Sequence, residues 1–220
     1  MDRAGAAPGN DATFLFFGGT DLWRDGAFLY GGAMWSPGGV DNSGFTLKTQ
    51  LSGGFYSYTS GALNADIKGT TESAAVLPGW KFDYGKLFVT VYAGPVVQNY
   101  RLNPNDPGAR LHGFYVGGEV ASDVWWEPTS FSMIALNGTL ASIGPTGSLR
   151  VAFGTRFLDR MFVGPESETI WCGNFEQYEL GAHVTAFRTD RLEWSAATGF
   201  AITSDHRKGP YLRIGVNTHL

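Results

Sequence analysis

The last ten residues of the chain alternate between apolar and polar side chains, which is the pattern of a β-strand with two different faces. One face carries Leu212, Ile214, Val216 and Leu220, and the opposite face carries Tyr211, Arg213, Gly215, Asn217 and His219. A strand that ends at the carboxyl terminus, with its polar face inside and its apolar face outside, is typical of the last strand of a bacterial outer-membrane barrel.

The same alternation recurs along the chain, and no helical period competes with it over more than a turn or two. The sequence predicts about twelve strands, near 13–23, 27–36, 44–58, 64–77, 86–101, 113–127, 129–142, 148–157, 160–169, 175–188, 191–203 and 210–219. The predicted fold class is therefore all-β, with a single antiparallel transmembrane β-barrel of about twelve strands over 12–220. Residues 1–11 are expected to form a flexible mature amino terminus.

The connections between the predicted strands differ in length. Tight turns are expected at 83–85, 127–129, 158–159 and 189–190, and longer links at 103–112, 144–147, 164–174 and 205–209. Short turns on one rim and longer loops on the other are the arrangement of outer-membrane barrels, in which the short rim is periplasmic. The segment 36–43 departs from this pattern, because it is long yet falls on the short rim.

Composition is consistent with a membrane barrel and argues against some partners. Charged residues are 16% of the chain, below the roughly 25% of soluble domains, and the 31 glycines are about twice the usual share. A net charge of −4 argues against a nucleic-acid partner. Cys172 is the one cysteine, so no internal disulfide can form. The start of the chain lacks an export leader, and we expect that Met1 replaces a leader that is removed during export to the bacterial outer membrane.

Alternation alone does not show which face of the strands is inside. A soluble sandwich or a lipocalin-like barrel would bury the apolar face. Two observations favour the membrane, namely apolar faces of about the 9–11 residues that span a bilayer and tryptophans near strand ends that suit interface girdles. These tryptophans are Trp23, Trp35, Trp80, Trp125, Trp126, Trp171 and Trp194.

In a membrane barrel, the polar faces of the strands would line the lumen. The charged or titratable residues expected to point inward are Lys48, Asp66, Lys68, Glu72, Glu119, Asp123, Arg150, Arg156, Glu166, Glu179, His183, Glu193 and Arg213. Unpaired charges in a narrow, dry lumen cost several kcal/mol, so these groups are expected to pair or to line water. An ion-pair network that plugs the lumen and a polar conduit or saccharide groove both remain open.

Aromatic side chains in the lumen or on the longer rim could stack on sugar rings. The candidates for saccharide stacking are Tyr115, Tyr211 and Trp171. The alternative is that such rings simply fill space inside a small barrel.

The sequence offers weak support for catalysis or metal binding. Glu179 and His183 share one strand face and Ser195 lies on the next strand, but a spacing of four along a strand separates side chains by about 13 Å. The histidines at 112, 183, 206 and 219 are scattered over different parts of the barrel. We therefore expect no enzyme, no catalytic residue, no metal site and no cofactor.

Short glycine-rich motifs give the chain a family resemblance over about residues 12–220. They are Phe16-Phe17-Gly18-Gly19-Thr20-Asp21, Phe28-Leu29-Tyr30-Gly31-Gly32, Ser43-Gly44-Phe45, Leu51-Ser52-Gly53-Gly54, Leu77-Pro78-Gly79-Trp80, Phe162-Val163-Gly164-Pro165-Glu166 and Leu180-Gly181-Ala182-His183. With these motifs the chain resembles the cellulose biosynthesis protein BcsS family, whose members are described as outer-membrane proteins of cellulose-producing Gram-negative bacteria.

The resemblance implies a non-enzymatic outer-membrane barrel that is accessory to cellulose or exopolysaccharide biosynthesis and export. It implies that the barrel is surrounded by outer-membrane lipid and that its partners are a glucan chain and other cellulose-export components. It supplies no catalytic residues. We expect a monomer. Two alternatives stay open: a structural or adhesive barrel with a plugged lumen whose outer loops bind surface polysaccharide, and a soluble periplasmic barrel that binds a small apolar ligand.

Overall fold

Twelve antiparallel β-strands close into one barrel in the computed structural model, which describes residues 12–144, 146–173 and 175–220. Each strand pairs with the next along the chain, and β1 pairs with β12 to complete the closure. The strands are β1 (Phe14–Trp23), β2 (Gly26–Trp35), β3 (Gly44–Ser60), β4 (Ala65–Asp83), β5 (Leu87–Asn103), β6 (Gly113–Thr129), β7 (Ser132–Ala141), β8 (Thr146–Phe157), β9 (Met161–Cys172), β10 (Phe175–Thr189), β11 (Leu192–Thr203) and β12 (Lys208–His219). The predicted fold class and strand number are confirmed, while the predicted flexible segment 1–11 lies outside the described residues.

No helix in the described parts of the chain has the length and apolar character needed to cross a membrane.

Two strands continue past the points at which the sequence predicted their ends. β4 runs to Asp83, beyond the predicted end at residue 77, and β9 runs to Cys172 through the predicted link 164–174. A proline cannot donate a ladder hydrogen bond. Both prolines lie where the pairing with one neighbour is interrupted: Pro78 opposite β5 and Pro165 opposite β8. The missing N–H groups therefore do not end the strands.

The two rims of the barrel differ, though less than the sequence predicted. We call the rim with connections 84–86, 130–131, 158–160 and 190–191 the short-turn rim, and the opposite rim, which carries 104–112, the outer rim. On the outer rim, the connection 24–25 is as tight as the turns opposite, and β10 begins three residues after the end of β9. The segment 36–43 is the long connection of the short-turn rim, as expected. It folds against the barrel, where Val40 is buried and its carbonyl accepts a hydrogen bond from the Lys81 Nζ at 2.5 Å.

The outside of the barrel is apolar along most strands, as a surface in contact with lipid must be. Leu180, Val116 and Phe200 are each about 70% exposed. Outward aromatic residues gather near the short-turn rim, where they form one girdle: Phe14, Trp35, Phe45, Trp80, Phe82, Trp126 and Phe157. The predicted girdle position is wrong for two of the tryptophans. Trp23 is buried inside the barrel, and Trp125 packs against the buried Phe162.

Three charged residues of β4 that were expected to point inward lie on the outside. Asp66, Lys68 and Glu72 are exposed, whereas Ile67 and Gly69, which alternate with them, are buried. These charges occupy the outer end of the long wall formed by β3, β4 and β5, and the apolar residues of β4 begin further along, near Val76. The wall therefore carries a polar surface toward the outer rim.

A charge placed on the apolar outer wall tests the assignment of this surface to lipid. Replacing Leu180, near the middle of β10, by arginine should lower the free energy of unfolding by about 2–4 kcal/mol, because a guanidinium at mid-bilayer loses its hydration. The measurement is urea unfolding of the barrel refolded into lipid vesicles.

The matched control is Glu176→Arg, on the same outward row of β10 but close to the outer rim, where the cost should be at most about 1 kcal/mol. Equal effects of the two substitutions would contradict a lipid-facing wall.

Candidate functional site

Six charged side chains meet inside the barrel, and we call them the central charge cluster: Asp21, Arg150, Glu166, Glu168, Glu179 and Arg213. They belong to β1, β8, β9, β10 and β12. Alternate side chains of a strand point to opposite faces of the sheet, and these six belong to the face that points into the barrel. Closure of the barrel between β1 and β12 brings the first and last strands into the same cluster.

Arg213 is the centre of this cluster and is itself buried. Its Nε atom donates to Asp21 Oδ2 at 3.1 Å, and its Nη1 atom donates to Glu166 Oε1 at 3.1 Å. Its Nη2 atom lies 3.0 Å from Asp21 Oδ2 and 2.5 Å from both Glu168 Oε2 and Glu179 Oε2. One guanidinium of β12 thus joins β1, β9 and β10.

Glu166 connects Arg213 to the second arginine. The Nε and Nη2 atoms of Arg150 donate to Glu166 Oε2 at 2.9 and 2.6 Å. The Tyr211 hydroxyl donates to Glu166 Oε1 at 3.0 Å. Glu166 is 2% exposed, so its charge is stabilised by these protein donors in place of water.

Small residues on the facing strands make room for the cluster. Gly181, two residues after Glu179 on β10, could not carry a side chain, because a Cβ atom there would lie 2.2 Å from the Thr198 carbonyl oxygen and 2.5 Å from the Tyr211 hydroxyl oxygen. Ala197 and Ala201 of β11 are buried against the same tyrosine. This close approach places Tyr211 over Glu166.

Between the cluster and the outer rim, five rings form what we call the outer aromatic layer: Trp23, Phe28, Tyr56, Tyr58 and Phe175. The Trp23 ring stacks on Phe28 at 5.4 Å between centroids and lies 6.3 Å from Phe175. Tyr56 lies 5.7 Å from Phe175. The layer reaches from β1–β3 to β10 and fills the lumen near the outer rim.

The connection 104–112 covers this layer from outside. The Tyr58 hydroxyl donates to Asp106 Oδ2 at 2.8 Å, and the backbone N–H of Gly108 donates to Asp106 Oδ1 at 2.9 Å. Asp106 and Leu111 are both buried, which shows that the connection folds into the mouth of the barrel.

A second ionic contact holds the outer rim together around Arg207. Its Nη2 atom lies 2.5 Å from Asp66 Oδ1, and its Nε atom lies 3.0 Å from Asp205 Oδ2. Burial alone would raise the pKa of Asp205, but hydrogen bonds from Thr203 and the Thr59 backbone, together with the Arg207 charge, hold that pKa below its usual range.

The half of the lumen toward the short-turn rim is also occupied by paired charges and rings. Lys48 lies 3.5 Å from Asp123 and sits over the Tyr92 ring at 5.1 Å. Arg156 lies 3.2 Å from Glu127 and 4.7 Å from the centre of the Phe162 ring. Paired charges and rings therefore also line the lumen toward the short-turn rim.

The predicted lumen residues separate into several groups in the structure. Arg150, Glu166, Glu179 and Arg213 meet in the central charge cluster. The Nε2 atom of His183 lies 3.1 Å from the Phe153 carbonyl oxygen. The others lie elsewhere: Asp123 with Lys48, Arg156 with Glu127, Glu193 with Arg188, and Glu119 on the same face of β6 as Asp123.

The sequence prediction left Asp21 and Glu168 out of the lumen residues. Asp21 is the one charged residue of the glycine- and aromatic-rich β1, and Glu168 follows Glu166 in the same phase of β9. Phase along the strand could have identified both. Gln177, on the polar face of β10 with Glu179 and His183, donates from Nε2 to Glu179 Oε1 at 2.6 Å.

The three candidate stacking aromatics do not form one groove. Tyr211 is 2% exposed and offers no open ring face, in contrast to what the sequence suggested. Tyr115 is partly buried near the outer rim, where its hydroxyl accepts a hydrogen bond from the His112 backbone at 3.2 Å. Trp171, near the outer end of β9, lies in the outward phase of that strand.

Removing the Arg213 guanidinium tests how strongly the lumen depends on the central charge cluster. Arg213→Met leaves several buried carboxylates without their main partner, so the free energy of unfolding should fall by about 3–5 kcal/mol. The measurement is again urea unfolding of the refolded barrel.

The control is Arg101→Met, which removes an arginine paired at 3.4 Å with Glu72 on the exposed outer wall. That change should lower the free energy of unfolding by about 0.5 kcal/mol, since ion pairs on the surface contribute little to stability. A loss of similar size for both variants would show that the lumen does not depend on Arg213.

Comparison with known proteins places the barrel among outer-membrane folds. It superposes on a TodX mutant described as a monoaromatic hydrocarbon channel with a TM-score of 0.55, at 8% identity over 94% of this chain and 90% of that one. It matches the transport unit of the autotransporter AIDA-I from Escherichia coli with a TM-score of 0.51, at 9% identity over 100% and 93% of the two chains. For LpxR from Salmonella typhimurium the TM-score is 0.50, at 10% identity over 94% and 100%.

At these identities the likeness shows the fold alone. None of the curated proteins matches the sequence. A family model does match, and its description is cellulose biosynthesis protein BcsS. The match covers residues 15–220, which is almost the whole barrel. The chain therefore belongs to the cellulose biosynthesis protein BcsS family.

Proposed function

We propose that this chain is a non-enzymatic outer-membrane barrel that assists cellulose production and export at the cell surface, and that its lumen is closed to the glucan chain. Membership of the BcsS family supports the link to cellulose. The apolar outer wall and the barrel architecture support residence in the outer membrane. The observation that carries the closed lumen is its filling by the outer aromatic layer and the central charge cluster.

A glucan chain needs a continuous open path. In this barrel Glu166, Glu179 and Tyr211 are each at most 2% exposed and lie across the middle of the lumen. Opening a path would require Arg213 to leave several carboxylates in a dry interior, and breaking such buried pairs costs several kcal/mol. Repeated opening for a passing polymer is therefore unfavourable.

With a closed lumen, the barrel acts through its rims and outer loops. The outer rim offers Tyr115 beside the connection 104–112, where a partly exposed ring can stack on a sugar ring without a complementary charge. Each such contact would contribute about 1 kcal/mol, by analogy with aromatic pairs. The proposed partners are outer-membrane lipid around the wall, glucan at the outer rim and other cellulose-export components. One chain closes the barrel, so a monomer suffices.

A second candidate function is adhesion, in which the barrel holds finished polysaccharide at the surface without assisting its export. The polar outer surface of the β3–β5 wall favours it. Asp66, Lys68, Glu72 and Arg101 point outward there, beyond the apolar part of β4. Such a surface suits contact with hydrated polymer better than contact with lipid.

Conductance of the purified barrel and cellulose secretion by a deletion strain test the proposal. The purified barrel should be silent in planar lipid bilayers, because the lumen is filled. Deletion of the gene should reduce secreted cellulose and leave synthase activity in isolated inner membranes unchanged. Complementation with Tyr115→Ala should restore less cellulose than the wild type. The control Tyr84→Ala removes an exposed tyrosine of the short-turn rim and should restore the wild-type amount.

Discrete conductance steps in the wild type that change with Glu119→Gln or Arg150→Gln would contradict the closed lumen and favour a conduit. Normal cellulose export combined with poor adhesion of the deletion strain would support the adhesive function instead. If neither export nor adhesion changes, the proposed role in cellulose production is wrong.

A further inference from the structure

The central charge cluster contains more negative than positive charge. Four carboxylates, Asp21, Glu166, Glu168 and Glu179, face two guanidiniums, Arg150 and Arg213, which leaves an excess of two negative charges when all six groups are ionised. Buried charge of one sign is costly unless it is compensated. The cluster therefore needs further positive charge.

The hydrogen-bond donors of the cluster are also too few. The Arg213 Nη2 atom has two protons but lies within 3.0 Å of oxygens from Asp21, Glu168 and Glu179. The second oxygen of Asp21, Oδ1, is buried and has no partner. Each carboxylate has a donor on one oxygen, but Asp21 Oδ1 is left without one.

An uncharged side chain gives independent evidence for the missing cation. Gln177 is fully buried, and its Nε2 atom donates to Glu179 Oε1 at 2.6 Å, which holds the amide group against the cluster. The oxygen of the same amide, Oε1, has no partner. Unpartnered amide and carboxylate oxygens in one buried cluster are the ligand types of a hard cation.

From these observations we propose that the lumen binds one divalent cation, Ca²⁺, through the carboxylates of Asp21, Glu168 and Glu179 and the amide oxygen of Gln177. The three carboxylates each offer an oxygen within 4.8 Å of the others. Two oxygens bound to one Ca²⁺ at about 2.3–2.6 Å are separated by no more than about 5 Å. Asp21 Oδ1 is available for the cation while Asp21 Oδ2 contacts Arg213. Glu179 Oε1 accepts a hydrogen bond from Gln177 and keeps a second lone pair for the cation.

Ca²⁺ fits this site better than Mg²⁺. The candidate ligands come from β1, β9 and β10 and surround a guanidinium, so they form an irregular shell. Ca²⁺ accepts six to eight oxygens in flexible geometry, whereas Mg²⁺ requires near-ideal octahedral coordination. Two positive charges cancel the excess negative charge of the cluster. The site does not depend on the proposed role in cellulose export, since a conduit could hold the same ion.

The test uses the full chain refolded in detergent free of lipopolysaccharide, because lipopolysaccharide itself binds Ca²⁺. Calorimetric titration with CaCl₂ should show one ion per barrel, with weaker binding of MgCl₂. Urea unfolding should shift to lower urea when EDTA is added. Asp21→Asn and Gln177→Met should each weaken Ca²⁺ binding about tenfold or more, as the loss of a group that ligates or orients ligands does in other metal sites.

Glu193→Gln is the matched control, because Glu193 pairs with Arg188 outside the cluster. This variant should keep the wild-type affinity. Gln177→Met changes no charge, and the Gln177 side chain does not contact Arg213 in the structure. This variant therefore still tests the site if Asp21→Asn fails to fold. Absence of saturable Ca²⁺ binding would overturn the site, and so would equal affinity in Gln177→Met. Stability that responds to pH but not to Ca²⁺ would show that shared protons compensate the charge instead.

Discussion

The interaction of Arg213 with the carboxylates around it is the constraint on which the rest of this barrel depends. It joins β12 to β1, β9 and β10 across the lumen, at a place where water does not stabilise the charges. Removing one partner of such a contact costs more than the contact contributes, because the remaining charge stays buried. The small residues of the facing strands, such as Gly181 and Ala197, allow this approach.

The proposed closure of the lumen rests on what lies on either side of that arrangement. The outer aromatic layer lies above the cluster, and the connection 104–112 folds over the layer through the contact between Tyr58 and Asp106. At the opposite end, the segment 36–43 folds against the barrel near Lys81. If the apolar outer wall faces lipid, as proposed, the surfaces left for other partners are the rims and the polar outer end of the β3–β5 wall.

The alternating pattern predicted the strand number, the barrel and the inward direction of Arg150, Glu166, Glu179 and Arg213, because side-chain phase is a local property of a strand. It did not predict which of these residues meet, since that depends on the stagger of strands around the closed barrel. The predicted end of β4 at residue 77 and the predicted link 164–174 were also wrong, and interrupted pairing tolerates Pro78 and Pro165 inside these strands. The girdle position predicted for Trp23 was wrong because a tryptophan near a strand end can face either the lipid interface or the lumen. Its position in the inward and outward alternation of β1 decides between the two.

Access of water-soluble reagents to the lumen tests the closed barrel most directly. Ser195 pairs with Gly215, two residues beyond Arg213 toward the short-turn rim. Ser195→Cys in a Cys172→Ser background can be treated with a charged maleimide in sealed proteoliposomes whose outer rim faces the reagent. Asn105→Cys, in the exposed part of the connection 104–112, reports full access. The closed lumen predicts rapid labelling at position 105 and labelling at position 195 only after unfolding in urea. Labelling of both positions at similar rates in the folded barrel would contradict it.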